Sequence, residues 1–107
     1  MELETVKYDL STQANGNIKL ADVSLYKTCS IQIWWDLLNS VDGYLKIIYR
    51  NIYNSMWCED ESEIVILSKF NNSKKIVIDT TNIEHLGFRL EKGNNTLGNI
   101  YFKLILE

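Results

Sequence analysis

The 107-residue sequence predicts an all-β domain, an antiparallel β-sandwich of jelly-roll-like form with about seven to nine short strands and at most one or two helical turns. Three observations point there. Apolar residues recur at every second position in several segments. Polar turn residues punctuate the chain at a spacing of about ten residues. The composition avoids alanine (Ala14 and Ala21 only) and favours isoleucine, which suits pleated, half-buried surfaces better than helices.

From the N-terminus, Thr5–Leu10 and Asn17–Leu20 are weak strand signals. Thr28–Trp35 is strong: Cys29, Ile31, Ile33 and Trp35 share one face, and Thr28, Ser30, Gln32 and Trp34 the other. The first set belongs in a core and the second faces solvent or a partner. Asp42-Gly43 then reads as a type I′ hairpin turn, because both residue types tolerate positive φ. Tyr44–Arg50 follows as a strand, with a short edge piece around Asn54–Glu59 and another strand over Glu63–Ser68. Asn71-Asn72-Ser73 is a second turn, leading into Lys75–Asp79. A helical turn fits Thr80–His85, where Thr80 or Thr81 can cap and Glu84 lies three residues after Thr81. Asp36–Ser40 is another short helical candidate. Leu86, Phe88 and Leu90 alternate with Gly87, Arg89 and Glu91; Ile100, Phe102, Leu104 and Leu106 alternate with Tyr101, Lys103, Ile105 and Glu107. The glycine-flanked stretch Lys92–Asn99 joins these last two as a hairpin loop.

No proline-rich linker, low-complexity segment or repeat divides the chain, so residues 1–107 read as a single domain, with residues 1–10 as an extended arm. Surface scaling gives a folded area of roughly 6,200 Å², enough burial for a core without disulfides or metals. No apolar run approaches the roughly 20 residues of a membrane span, and the acidic start MELETVKYDL is unlike a signal peptide. Net charge is −3, and Arg50 and Arg89 are the only arginines among eleven basic residues. That is no footprint for nucleic acid. Neither membrane nor nucleic acid is expected as a partner.

Chemistry-bearing residues are sparse. His85 is the sole histidine, and without a visible nucleophile or orienting carboxylate it reads as a corner residue before a strand. Glu59, Asp60, Glu61 and Glu63 form an acidic run without the spacing of a calcium loop, hence a solvated loop between two strands. Cys29 sits on an apolar strand face, where a thiol acts as a small hydrophobe; Cys58 has no cationic neighbour in sequence to activate it. The two read as reduced thiols, and whether they meet is left open by the sequence. Gly93–Gly98 lacks the Lys-Ser/Thr ending of a phosphate loop. No enzyme activity, catalytic residue, cofactor or metal is expected. Aromatics are the surplus: Trp34 lies on the polar parity of its strand and Trp57 between polar residues. With Tyr44 they are the candidate contacts to a protein partner or a glycan, against the alternative that Trp34 is covered by a second layer or the N-terminal arm.

The order of these pieces carries a resemblance. The segment CSIQIWWDLLNSVDGYLKI resembles a strand–turn–strand unit of tailed-phage β-sandwich structural proteins, and RNIYNSMW, from Arg50 to Trp57, is similar to the Asn-rich turn and Trp that follow it. GFRLEKGNNTLGNIYFKL resembles the closing hairpin of the same family. The likeness spans Leu25 to Glu107; the acidic run and the doubled Trp34-Trp35 depart from the pattern, with Trp35 matching the family's core tryptophan. Such modules occur in capsid auxiliary (decoration) proteins, head fibres and tail appendages, including those of crAss-like phages. The resemblance implies a non-enzymatic virion structural protein, a decoration protein bound to the major capsid protein or another virion protein and homo-oligomeric on the lattice. A chain starting at Met1 without a fibre stalk fits that role, with Met1–Leu10 adding a strand to a neighbour. A glycan-binding receptor-recognition module of a head fibre or tail appendage is the alternative.

Overall fold

The computed structural model describes residues 1–51, 56–68 and 72–107, with the backbone alone for 60–63. Eight strands are named within it: β1 Val6–Asp9, β2 Gly16–Asp22, β3 Thr28–Asp36, β4 Tyr44–Asn51, β5 Cys58–Ile66, β6 Ser73–Asp79, β7 Ile83–Glu91 and β8 Asn99–Leu106. They form two antiparallel sheets, ordered β1-β8-β3-β6 (sheet A) and β2-β7-β4-β5 (sheet B). The pairs β1–β8, β2–β7, β3–β6 and β4–β5 nest inside one another, so the chain is one long antiparallel ribbon folded over itself with its tip at β4–β5. That is the jelly roll. The accessible surface is 6150 Å².

The alternation seen in the sequence becomes the core. Cys29, Ile31, Ile33 and Trp35 of β3 face inward, as do Ile100, Phe102, Leu104 and Leu106 of β8. Leu45 and Ile47 of β4 and Leu86, Phe88 and Leu90 of β7 meet them from sheet B. Across the layer Phe88 stacks on Phe102 at 4.4 Å between centroids, and the Tyr8 ring stands edge-on to both at 5.2 and 5.7 Å. Burial pushes the Tyr8 hydroxyl pKa up. The Trp35 indole N–H donates to the Ser68 carbonyl at 2.8 Å, which lets a large amphipathic ring stay buried with its polar atom satisfied.

Several local expectations are corrected. Among the described residues there is no helix. At Thr80–His85, Asp79 accepts the Thr81 N–H and Asn82 takes a left-handed φ of 64°, turning the chain from β6 into β7 within three residues. The Thr80 hydroxyl donates to the Tyr26 carbonyl instead of capping a helix. Asp36–Ser40 is likewise non-helical, the end of β3 and the loop after it. Asp42-Gly43 is no type I′ turn: Gly43 lacks a positive φ, and β3 and β4 lie in different sheets. Lys92–Asn99 is no hairpin loop either, because it carries the chain from β7 in sheet B to β8 in sheet A. β5 and β6, on either side of Asn71-Asn72-Ser73, also belong to different sheets; residues 69–71 lie outside the described residues, as do 52–55 of the Asn-rich turn.

The acidic run is not a loop between two strands. Cys58–Ile66 is one strand, with Asp60 opposite Ile47 and Ile64 opposite Lys46, so three residues of β5 bulge out of register at Glu61–Glu63. The side chains of Asp60, Glu61 and Glu63 lie outside the described residues. Residues 1–10 are not a free arm: β1 pairs with β8, Leu3 N–H donates to Leu104, and Leu106 N–H to Met1. The terminus adds its strand to its own sheet.

Candidate functional site

Among the described residues, the outward-facing cations of sheet B are occupied by neighbouring side chains. Glu59 accepts from Arg89 Nη1 at 2.9 Å and from Lys46 Nζ at 3.4 Å, and Arg89 Nε also donates to Glu91 at 3.2 Å. The Arg89 guanidinium holds the Glu59 carboxyl below the usual carboxylate range, and the Glu59 and Glu91 carboxylates hold Arg89 above its own. His85 lies against Asp22 through Nδ1 and 3.0 Å from Glu84 through Nε2, while Lys19 pairs with Asp22 at 3.0 Å. Trp57 sits beside this group, 5.9 Å from the Arg50 guanidinium carbon and 6.4 Å from the His85 ring. His85 therefore has, besides the adjacent Glu84, a carboxylate neighbour that spacing did not reveal, since Asp22 reaches it only through the β2–β7 register.

Sheet A presents a different surface. Trp34 points outward from β3, half-buried, and stacks on Tyr101 of β8 with 5.4 Å between centroids and 6° between planes. The N-terminal segment does not cover it: the register runs Lys7, Tyr101, Trp34, Ser73 across the four strands. The next row is Lys103, Gln32, Lys75, and the row on the other side includes Asn99 and Asp36. Asp36 accepts from Asn99 at 3.1 Å and from the Tyr101 hydroxyl at 3.4 Å.

The sequence-derived contact residues thus do not form one site. Trp34 is on sheet A, whereas Tyr44 and Trp57 lie at opposite ends of the β4–β5 pairing in sheet B: Tyr44 pairs with Ile66 at one end, and Trp57 immediately precedes Cys58, which faces Tyr49 at the other. Tyr101, the residue that completes the Trp34 surface, was legible only as an outward parity in the last strand. Its partnership with Trp34 depends on the β3–β8 register.

A third feature lies where the loops 37–43 and 92–98 meet. Asn39 Oδ1 accepts the Thr96 and Leu97 N–H groups at 2.9 and 3.2 Å, and Asn39 Nδ2 donates to Thr96 Oγ1 at 2.9 Å. Asn95, 2% exposed, accepts the Ser40 N–H at 2.8 Å and donates to the Lys92 carbonyl at 2.9 Å. Asp42 accepts from the Ser40 hydroxyl and from the backbone and side-chain amides of Asn94. These bonds fasten the two loops together, yet three apolar side chains stay out: Leu37 is 76% exposed, Leu97 57% and Val41 53%. Leu37 also holds a left-handed φ of 58°, a sparsely populated conformation for a branched, bulky side chain. A Cβ on Gly98 would run into Leu38 and lie 3.2 Å from the Leu37 carbonyl carbon, so the Leu97–Gly98 corner sits directly on the Leu37 backbone.

The loop fastening has a pH signature. Hydrogen bonds from Ser40 and Asn94 hold the Asp42 carboxyl below its ordinary value. A carboxylate whose folded pKa is depressed contributes stability that is complete above its unfolded value of about 3.9 and disappears as the pH falls through the folded one. The difference in urea midpoint between the wild type and Asp42→Asn is therefore expected to shrink as the pH drops below about 4. A difference that stays constant down to pH 2 would show that the charge plays no part in the fastening.

The two cysteines are free thiols on different sheets. Burial pushes the Cys29 thiol up to about 11, keeping it protonated and inert, while Cys58 is half-buried. An aromatic disulfide reagent at pH 8 is expected to label Cys58 in the native protein and Cys29 only after unfolding. Equal labelling rates would contradict the placement of Cys29 in the core.

No protein-family model matches the sequence, and no curated protein matches it. Among solved structures, the crystal structure of the SPBc2 prophage-derived protein YomS is similar, with a TM-score of 0.55 at 7% identity over 100% of this chain and 96% of that one. At that identity the likeness is one of fold. It spans both chains nearly end to end.

Proposed function

We propose that the chain is a non-enzymatic structural protein of a tailed-phage particle, an auxiliary or decoration protein that docks on the capsid lattice. The observation that carries this reading is the fastened loop end. Leu37, Val41 and Leu97 are held in the open by Asn39, Asn95 and Asp42, so their solvent-exposed apolar surface comes already ordered for contact with a protein. The sandwich behind it is a stiff scaffold, and the fold shared with a prophage-derived protein supports a phage setting. The proposed partner is the major capsid protein or another virion protein, with copies repeated around lattice symmetry axes and the assembled virion as the location.

Co-sedimentation with assembled capsids of the parent phage tests it. The wild type is expected in the particle fraction. Leu37→Asn removes the apolar side chain with a residue that tolerates left-handed φ. It is expected to cut capsid binding at least tenfold with no loss of thermal stability. A wild-type protein absent from particles would sink the proposal.

A second reading, recognition of a host glycan by a head fibre or tail appendage, is favoured by the Trp34–Tyr101 stack, an ordered aromatic surface ringed by donors and acceptors on sheet A. Quenching of Trp fluorescence by host polysaccharide, lost in Trp34→Ala, is its test.

A further inference from the structure

The cations of the two outer faces are treated differently. On sheet B, Lys19, Lys46 and Arg89 each have a carboxylate partner, and Arg50 lies against Trp57. On sheet A, Lys103 pairs with Glu2 at 3.1 Å, but among the described residues Lys7 and Lys75 on the outer face have no ion-pair partner, and neither has Lys74, which stands opposite the inward-facing Ile33 on the edge strand β6. Two of these three border one hollow. Trp34, Ile33 and Gln32 of β3 line it from one side, and Ser73, Lys74 and Lys75 of β6 from the other. Lys7 stands across Tyr101 in the same row as Trp34 and Ser73. The indole is fixed by its stack on Tyr101, and Tyr101 is fixed in turn by its hydroxyl on Asp36. The hollow therefore brings together an immobilised aromatic ring, an amide and a hydroxyl that can each donate and accept, and the unpaired ammonium group of Lys75, with Lys74 at the edge of the sheet beside them.

We infer that this hollow between β3 and β6 binds an acidic saccharide, a hexuronic-acid unit whose apolar ring face lies on Trp34, whose hydroxyls bond Gln32 and Ser73, and whose carboxylate reaches Lys75, with Lys74 adding positive charge at the sheet edge. The inference rests on the recognition reading and narrows it to one ligand class. The ring face of a pyranose is flat and lined with C–H groups, which matches an indole better than a strongly hydrated ion does. The carboxylate supplies what unpaired lysines attract, and the mixed donor–acceptor rim suits a polyhydroxylated molecule. A nucleic-acid strand has a ring to stack as well, but its repeating phosphates would run onto Asp9, Asp36 and Asp79, which flank the same face on a chain of net charge −3.

The test is titration of the full chain with a galacturonic-acid hexamer, a neutral galactose hexamer and a thymidine hexanucleotide, followed by Trp fluorescence and calorimetry. The acidic sugar is expected to bind at least tenfold more tightly than the other two. Its affinity should fall with added salt and drop tenfold or more in Trp34→Ala. Lys74→Gln with Lys75→Gln is expected to erase the preference for the acidic over the neutral sugar while leaving the fold intact by circular dichroism. Trp57→Phe, on the other sheet, should change nothing. Equal binding of acidic and neutral hexamers would overturn the inference and leave glycan recognition standing; binding of neither would overturn both. Tighter binding of the hexanucleotide would also overturn it.

Discussion

Phe88→Ala is expected to destabilise the protein by about 3–5 kcal/mol, the usual cost of emptying a large aromatic site in a core. For a domain of this size that lowers the melting temperature by roughly 15 °C or more. Phe88 is fully buried and spans the gap between the sheets: its stack on Phe102 joins β7 to β8, and Tyr8 closes the edge of both rings. Truncation removes the transfer energy of the ring and leaves a cavity walled by two rigid sheets that cannot collapse into it. Scanning calorimetry and urea denaturation measure the effect. A loss below about 1 kcal/mol would mean that the layer repacks freely, contrary to close-packed interiors.

Gly87→Ala is expected to be comparably damaging through the opposite error. A Cβ at Gly87 would overlap the Ile18 carbonyl and lie 3.2 Å from Lys19 Cα, and both obstacles are backbone of the neighbouring strand. Overpacking against side chains costs typically about 1–3 kcal/mol. Here no rotamer change relieves the clash, so β2 must separate from β7 near its irregularity between Lys19 and Ala21. The expected outcome is a loss at or above the top of that range, with amide exchange accelerated first at Ile18 and Lys19. Uniformly faster exchange across both sheets would argue for a global effect instead.

Much of the burial pattern was legible in advance. Alternation over Thr28–Trp35, Leu86–Leu90 and Ile100–Leu106 named the inward side chains correctly, because a strand buried on one face must place its apolar residues two apart. The candidate sites were less legible. Trp34 could be flagged from its parity alone, but its stack with Tyr101 needs two strands that lie 67 positions apart in the chain, from 34 to 101, to pair in one register. Leu37, Val41 and Leu97 drew no notice, since isolated apolar residues in loops are ordinary. Their meaning comes from the Asn39 and Asn95 bonds that lock the loops beneath them.

By itself, the amino-acid order determined a two-layered antiparallel sandwich and the side chains that fill it, because period-two hydrophobicity is a property of each strand taken alone. Only the tertiary structure decided which strands share a sheet. Asp42-Gly43 has the chemistry of a tight hairpin turn and Lys92–Asn99 that of a longer hairpin loop, yet both carry the chain from one sheet to the other. Pairing partners are selected by burial between distant segments, which the chemistry of a single turn does not encode. The outer faces followed from that choice: among the described residues, paired cations on sheet B, and an aromatic stack beside unpaired lysines on sheet A.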